Sequence, residues 1–307
     1  MSPQIRIGTR DSELAVWQAT QVKEGLDRFG CHSSLVFVKS DGDLNLSAPL
    51  HQTETIGLFT RTLDLALLNG EIDLAVHSLK DLPTQLTKGI LQVAVLPRGP
   101  VLDVLVCRGS TRFLDHPSQA ASIATGSLRR KAQWLNKYPG HHIEPIRGNV
   151  RTRLEKLKHS HWDGAIFAAA GLDRLEIRDV NSLTLNWMLP APAQGAIALI
   201  CRQADKEMIR QCGILNDGKT QLCVHQEREF LQVLEGGCSA PIGAYCWIEE
   251  EWVHFQGNIL SLDGMEKREV FRKATMEQSG DLGKNAAEEL LDQGANLILE
   301  QIKHAPR

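Results

Sequence analysis

Residues 72–83, Ile72-Asp73-Leu74-Ala75-Val76-His77-Ser78-Leu79-Lys80-Asp81-Leu82-Pro83, constrain the fold more than any other stretch of the chain. Their first half is short, apolar and β-branched and follows the helix stop Asn69-Gly70, the pattern of a buried strand in an α/β sheet. Pro83 ends any regular continuation. Ser78, Lys80 and Asp81 are therefore expected just past the carboxyl end of a strand, where open α/β sheets bind their ligands. Alone, a lysine beside an aspartate reads more readily as a surface ion pair. Other strand-like runs also end in cationic or small polar residues, however, and that repetition points to one ligand cleft.

A chain of 307 residues is too long for one small core and suggests two or three domains. Hydrophobic residues at 42% and charged residues at 23% belong to an ordinary globular protein. A net charge of −3 gives no bulk attraction for nucleic acid, so any cationic site has to be local. No apolar run is long enough to span a bilayer, and residues 1–7 enter a strand without a signal-peptide core. The expectation is a cytoplasmic protein with no membrane partner. The seven cysteines are dispersed and lack a C-x-x-C pair, which predicts thiols rather than disulfides, with Cys107 and Cys201 in the core. His141-His142 and His159-x-His161 have no cysteine or carboxylate at ligand spacing, so no metal is expected.

Residues 4–8 read as a strand, Arg10 as part of a turn, and Asp11 or Ser12 as the cap of a helix with the stripe Ala15, Ala19, Val22 and Leu26. Trp17 and Gln18 lie off that stripe, in position to face a ligand. A strand at 35–38 leads into a polar loop through Thr55, and Phe59, Leu63, Ala66 and Leu67 form the next helical stripe. Residues 91–96 are another strand, and Arg98-Gly99-Pro100 breaks the pattern before a strand at 101–107. Ser122-Ile123-Ala124-Thr125-Gly126 is a strand entering a turn, and it leads into Ser127-Leu128-Arg129-Arg130 at a helix start, where backbone N–H groups and two guanidiniums favour anions. A strand at 142–146 runs into Arg147-Gly148-Asn149 and a helix that buries Val150, Leu154 and Leu157, and a strand at 164–169 leads to Arg174. Pro190-Ala191-Pro192 is a second break, ahead of Gln194-Gly195 and a strand at 196–201. Two breaks around a complete α/β unit indicate that the chain leaves its first domain and returns to it. Beyond Leu222 come a helix over 227–234, strands at 244–248, 252–259 and 269–274, and a last helix over 283–302 packing Leu290, Leu291, Leu297 and Ile298. That is a third, α+β domain with an antiparallel meander.

Arginine dominates the strand ends, and its planar fork suits bidentate capture of carboxylate or phosphate. Neither a G-x-x-x-x-G-K-[ST] nor a G-x-G-x-x-G run is present, so a nucleotide is not the obvious ligand. A ligand with several carboxylates fits better. Asp81 in this basic setting is either an ion-pair partner or a stabiliser of positive charge on a reacting ligand.

Seven motifs then fall in order along essentially the whole chain. They are Ile7-Gly8-Thr9-Arg10-x-Ser12-x-Leu14-Ala15-x-Trp17-Gln18, Ala75-Val76-His77-Ser78-Leu79-Lys80-Asp81-Leu82-Pro83 and Gly126-Ser127-Leu128-Arg129-Arg130. Next are Arg147-Gly148-Asn149-Val150-x-Thr152-Arg153-Leu154, Ala170-Gly171-Leu172-x-Arg174-Leu175, Gln194-Gly195-Ala196 and Leu234-Glu235-Gly236-Gly237-Cys238-x-x-Pro241-Ile242-Gly243. Together they resemble the porphobilinogen deaminase (hydroxymethylbilane synthase) family. With the strand pattern, the resemblance implies two periplasmic-binding-protein-like α/β lobes joined by two crossings, plus a smaller C-terminal α+β domain with an antiparallel sheet. The expected domains are 1–98 with 195–217, 99–194, and 218–307.

The resemblance implies a monomeric transferase of tetrapyrrole biosynthesis. Four porphobilinogen molecules are condensed head to tail with loss of ammonia, and hydroxymethylbilane is released by hydrolysis. It also implies a dipyrromethane cofactor in thioether linkage to Cys238, which on sequence physics alone is only a small residue in a Gly-Gly loop. Ser78, Lys80, Asp81, Thr125, Ser127, Arg129, Arg130, Arg147, Gly148 and Arg153 are implied to hold the cofactor. Arg10, Gln18, Arg147, Arg153, Arg174 and Gln194 are implied to bind substrate, with Asp81 and Arg10 catalytic.

Charge supports the role of Asp81. Loss of ammonia leaves a cationic azafulvene. A carboxylate about 4 Å from its pyrrole N–H, at an effective dielectric of about 20, favours it by about 4 kcal/mol, on the order of a thousandfold in rate. One region departs from the family pattern. Gln52 and Ile56 stand where the family has lysines, and Ser40-Asp41-Gly42-Asp43 replaces Thr-Arg-Gly-Asp, with Arg61 as a partial substitute. Two further readings therefore stay open: a relative that keeps the cofactor with weak or no turnover, and a two-lobed protein that only binds a polycarboxylate.

Overall fold

The computed structural model describes residues 4–38, 58–115, 120–234 and 240–305. The expectations placed on residues 40–43, Gln52, Ile56, Cys238 and the side chain of Phe59 fall outside the described residues. The chain opens with β1 (Ile5–Thr9), α1 (Glu13–Arg28), β2 (Ser33–Phe37), α2 (Leu58–Leu68), β3 (Leu74–Ser78) and β4 (Ile90–Val95). Ser12 caps α1 by accepting from Ala15 N at 3.4 Å, and Ala19, Val22 and Leu26 are buried. Trp17, expected off that stripe, is part-buried against the same core.

The middle of the chain forms β5 (Asp103–Cys107), β6 (Ser122–Ala124), α3 (Leu128–Lys137), β7 (His142–Glu144), α4 (Val150–His159), β8 (Gly164–Ala168), α5 (Ala169–Arg174) and β9 (Ser182–Thr184). After it come β10 (Ile197–Arg202), α6 (Lys206–Gly213) and α7 (Gly218–Val233). The chain then runs through β11 (Ile242–Glu249), β12 (Trp252–Leu260), β13 (Lys267–Thr275), α8 (Leu282–Leu290) and α9 (Asn296–His304). Met1–Gly99 with Gly195–Leu222 make one compact unit, and Pro100–Gln194 with Cys223–Arg307 make another.

Each unit holds a five-stranded mixed sheet of the same plan. The first has the order β2-β1-β3-β10-β4, with β1 parallel to β2 and β3, and β10 antiparallel to β3 and β4. The second has the order β7-β6-β8-β5-β9, with β6 parallel to β7 and β8, and β5 antiparallel to β8 and β9. In both, the antiparallel insert is the first strand after a proline break. A strand entering after a break is not delivered by a crossover helix, so nothing forces it into parallel pairing. Cys107 and Cys201 are buried in these inserts, as expected.

The second unit also carries a three-stranded antiparallel sheet, β11-β12-β13. Phe255 of β12 meets Phe230 of α7, ring centroids 5.2 Å apart. Here the structure corrects two expectations. α7 starts well before residue 227, because Asp217 accepts from Thr220 N at 2.7 Å and caps it early. The last helix is broken by a π-type turn over Leu291–Ala295 with Gly294 at φ +89, which shifts the helical phase. Leu290 and Ile298 are buried, whereas Leu297, expected in the core, is 56% exposed.

Candidate active site

In the first unit, parallel pairing of β1 with β3 sets two strand ends beside each other. Arg10 follows one and Ser78 closes the other. Gln18, buried on α1, reaches the same place: its Nε2 donates to Ser78 Oγ at 2.7 Å. A 3-10 turn over Leu79–Asp81 comes next, anchored by the buried Leu79 side chain and by Leu79 N donating to Ala196 O at 3.0 Å. The turn leaves Lys80 half-buried and Asp81 exposed. His77, just before Ser78, is buried. Burial first, then the charge of Arg10, push its pKa down to about 4, so the ring is neutral near pH 7. Its Nε2 has no hydrogen-bond partner among the described residues.

In the second unit the parallel strand β6 is followed by Thr125, which is buried, and Gly126. A Cβ on Gly126 would stand 2.6 Å from the carbonyl oxygen of Ile146, so this close approach requires glycine. Ser127 caps α3: its Oγ accepts from Arg130 N at 3.4 Å, and its own N donates to Thr125 Oγ1 at 3.2 Å. Arg129 and Arg130, in the first turn of α3, are both buried. Arg129 donates through Nη2 to Asp103 Oδ2 at 2.7 Å and through Nη1 to Leu189 O at 2.6 Å. Arg130 donates through Nη2 to Asp103 Oδ1 at 2.8 Å and through Nη1 to Ile166 O at 3.0 Å. Gln194 completes the group, donating from Nε2 to Asp103 Oδ1 at 2.9 Å and to Val101 O at 2.7 Å.

Asp103 has no exposed surface. Burial works to raise its pKa, but the charges and hydrogen bonds of Arg129 and Arg130 outweigh burial and hold the carboxyl well below the ordinary range. Farther along, Asn149 caps α4 by accepting from Thr152 N at 2.9 Å, and Arg153 Nε donates back to Gly148 O at 2.7 Å. Gly148 has φ +112. Arg147 and Arg153 are half-buried. Arg174 ends α5 only 8% exposed, and burial, opposed by Asp173, lowers its pKa to about 10.

This donor set suits an anionic group. Two guanidiniums around one carboxylate leave a positive charge in excess. The Nε atoms of Arg129 and Arg130 are buried with no hydrogen-bond partner among the described residues. Cations held away from water are costly until matched by anions, and a ligand bearing several carboxylates would match them.

Two acidic residues escaped the sequence reading. Asp103 is the one acid in the apolar run 101–107, a signal that it would be buried and paired. Glu227, also without exposed surface, falls at helical spacing with the buried Cys223, Phe230 and Leu234. A charged residue on an apolar stripe is the mark that was there to find.

Residues 5–210 match the family described as porphobilinogen deaminase, dipyromethane cofactor binding domain, and residues 221–292 match porphobilinogen deaminase, C-terminal domain. The porphobilinogen deaminase of Syntrophotalea carbinolica is 38% identical, covering 99% of this chain and 98% of its own. That of Desulfitobacterium hafniense is 41% identical over 97% of each chain. The chloroplastic porphobilinogen deaminase of Oryza sativa subsp. japonica is 40% identical over 93% of this chain and 83% of its own. Among solved structures, an ancestral cationic amino acid solute binding protein covers 75% of this chain and 91% of its own, with a TM-score of 0.44 and 12% identity. A periplasmic substrate-binding protein of an ABC transporter from Coxiella burnetii covers 73% and 97%, with a TM-score of 0.44 and 16% identity. With two family matches in chain order and relatives this similar over nearly their full length, the chain belongs to the porphobilinogen deaminase family.

Proposed function

We propose that this chain condenses four porphobilinogen molecules head to tail, with loss of ammonia, on a dipyrromethane primer held in thioether linkage by Cys238, and releases hydroxymethylbilane. The observation that carries the reading is the buried pair Arg129 and Arg130 on the single carboxylate Asp103, a cationic excess set at a strand end. When bound, the dipyrromethane supplies the pyrrole α-carbon that starts the chain.

The protein's own residues bind and polarise. Thr125, Ser127, Arg129, Arg130, Arg147, Gly148 and Arg153 hold the primer's carboxylates, and Ser78 and Lys80 are further cofactor-binding residues. Arg10, Gln18 and Arg174, with Arg147 and Arg153, take the acetate and propionate of incoming substrate, while Gln194, its amide protons given to Asp103 and Val101, acts on the site through Asp103. Asp81 faces the developing positive charge of the deaminating pyrrole and favours it electrostatically. Its field grows as bound ligand displaces water from this exposed turn.

The same reading divides the chain into domains 1–98 with 195–217, 99–194 and 218–307, and makes it a cytoplasmic monomer whose partner is porphobilinogen. A thioether needs no oxidising compartment, which supports that location. No helix among the described residues is long and apolar enough to cross a membrane.

An intact mass tests the proposal. Protein from a porphobilinogen-producing host should exceed its chain mass by one dipyrromethane and colour with an aldehyde reagent for pyrroles. Cys238→Ser should lose both. The same excess on the serine variant would place the attachment elsewhere, and a loaded protein without turnover would favour the cofactor-keeping, inactive relative.

A further inference from the structure

We propose that Glu227 is a positioning residue for the arginine pair, acting through Ala193, Gln194 and Asp103. The inference rests on the deaminase reading above. Glu227 sits in α7 and spends both carboxylate oxygens on backbone: Oε2 accepts from Ala193 N at 2.6 Å and Oε1 from Cys246 N at 2.8 Å. Ala193 has φ +61, a left-handed conformation that costs an alanine energy and that a short bond to a charged acceptor stabilises.

The next side chain is Gln194, which donates to Asp103 Oδ1 at 2.9 Å, and Asp103 in turn accepts from Nη2 of both arginines. Glu227, Ala193, Gln194 and Asp103 are each 0% exposed. Water therefore cannot take the place of a link that moves, and a shift at one end is passed on. Ala244 N, on β11, donates to Pro190 O at 3.0 Å, so the C-terminal sheet holds the same segment at a second point. α7 ends at Val233, and Cys238 follows it in sequence. One buried line of bonds thus ties the helix that precedes the cofactor cysteine to the cations that hold the cofactor's carboxylates.

Glu227→Gln tests this on the full-length protein from a porphobilinogen-producing host. Glutamine keeps the shape, but its –NH2 replaces one acceptor and opposes a backbone N–H. The folded variant, checked by near-UV circular dichroism well below its Tm, should carry the pyrrole group on a smaller fraction of chains by intact mass. Its KM for porphobilinogen, taken on pyrrole-bearing chains, should rise about tenfold with kcat far less affected. Adding Ala193→Gly should bring both values back toward wild type, because glycine takes a positive φ without the carboxylate. A merely structural role would lower Tm and leave loading and KM alone. Wild-type loading and KM in a folded Glu227→Gln overturn the inference, as does failure of Ala193→Gly to restore them. If Glu227→Gln does not fold, Gln194→Met cuts the same line one link later without removing a charge, and unchanged loading and KM there overturn it equally. A wild type with no added mass overturns the deaminase reading and this inference with it. A loaded wild type beside an equally loaded variant overturns this inference alone.

Discussion

Gln18 Nε2 donates to Ser78 Oγ at 2.7 Å, joining a helix to a strand end sixty residues away in sequence. The bond fixes the spacing between the strand end that carries Arg10 and the one that carries Asp81. Ser78→Ala leaves the buried Gln18 amide without this acceptor and should cost about 1–3 kcal/mol in urea unfolding. Adding Gln18→Leu removes the stranded donor and should recover most of the loss. A double variant no more stable than the single would show that the bond is not what the loss measures.

Asp81→Asn should separate chemistry from folding. The residue is exposed at the end of the turn anchored by Leu79 and Leu82, so stability should stay within about 0.5 kcal/mol of wild type. The substitution keeps size and removes charge, and kcat should fall on the order of a thousandfold. Near-wild-type turnover at saturating porphobilinogen would rule out the electrostatic role.

The parts of this fold that were legible in the sequence are those fixed locally. Three helix starts can be placed from the sequence, one with Asp11 or Ser12 as its cap, and in the structure Ser12, Ser127 and Asn149 each accept a backbone N–H there. β1, β3, β6 and β8 show as short apolar runs because their pairing buries both faces. What escaped depends on partners far away in sequence. Arg129 and Arg130 look like ligand donors from their place at a helix start. That they also share Asp103 follows from the antiparallel insertion of β5, which no local pattern encodes. The break in the last helix rests on Gly294, which a helix tolerates at a cost and which gave no sign of its positive φ.

His77 should make the protein acid-sensitive in a defined window. Its folded pKa of about 4 lies below the ordinary 6.5, so the unfolded chain takes up the proton first. The stability it contributes is complete above about pH 6.5 and is lost as pH falls toward about 4, up to about 3 kcal/mol in all. His77→Gln should flatten the stability profile across that window. A ring-proton titration of His77 midway near its ordinary pKa in the folded protein would contradict the burial argument.

Asp103 should set a second, lower limit. Its carboxyl is held well below the ordinary carboxylate range, so its contribution is present above about pH 4 and drains away as pH falls further toward the folded value. Asp103→Asn removes the charge between Arg129 and Arg130 and leaves two buried guanidiniums facing each other, which should cost about 3–5 kcal/mol at neutral pH. Its stability should then change less between about pH 4 and pH 2 than that of wild type, since the group that titrates there is gone. The loss should also carry a functional mark. With both guanidiniums no longer held on one carboxylate, the folded fraction should bear less pyrrole by intact mass. An Asp103→Asn protein within about 1 kcal/mol of wild type would mean that the two arginines find other anions among their neighbours and that the shared carboxylate does not organise the pair.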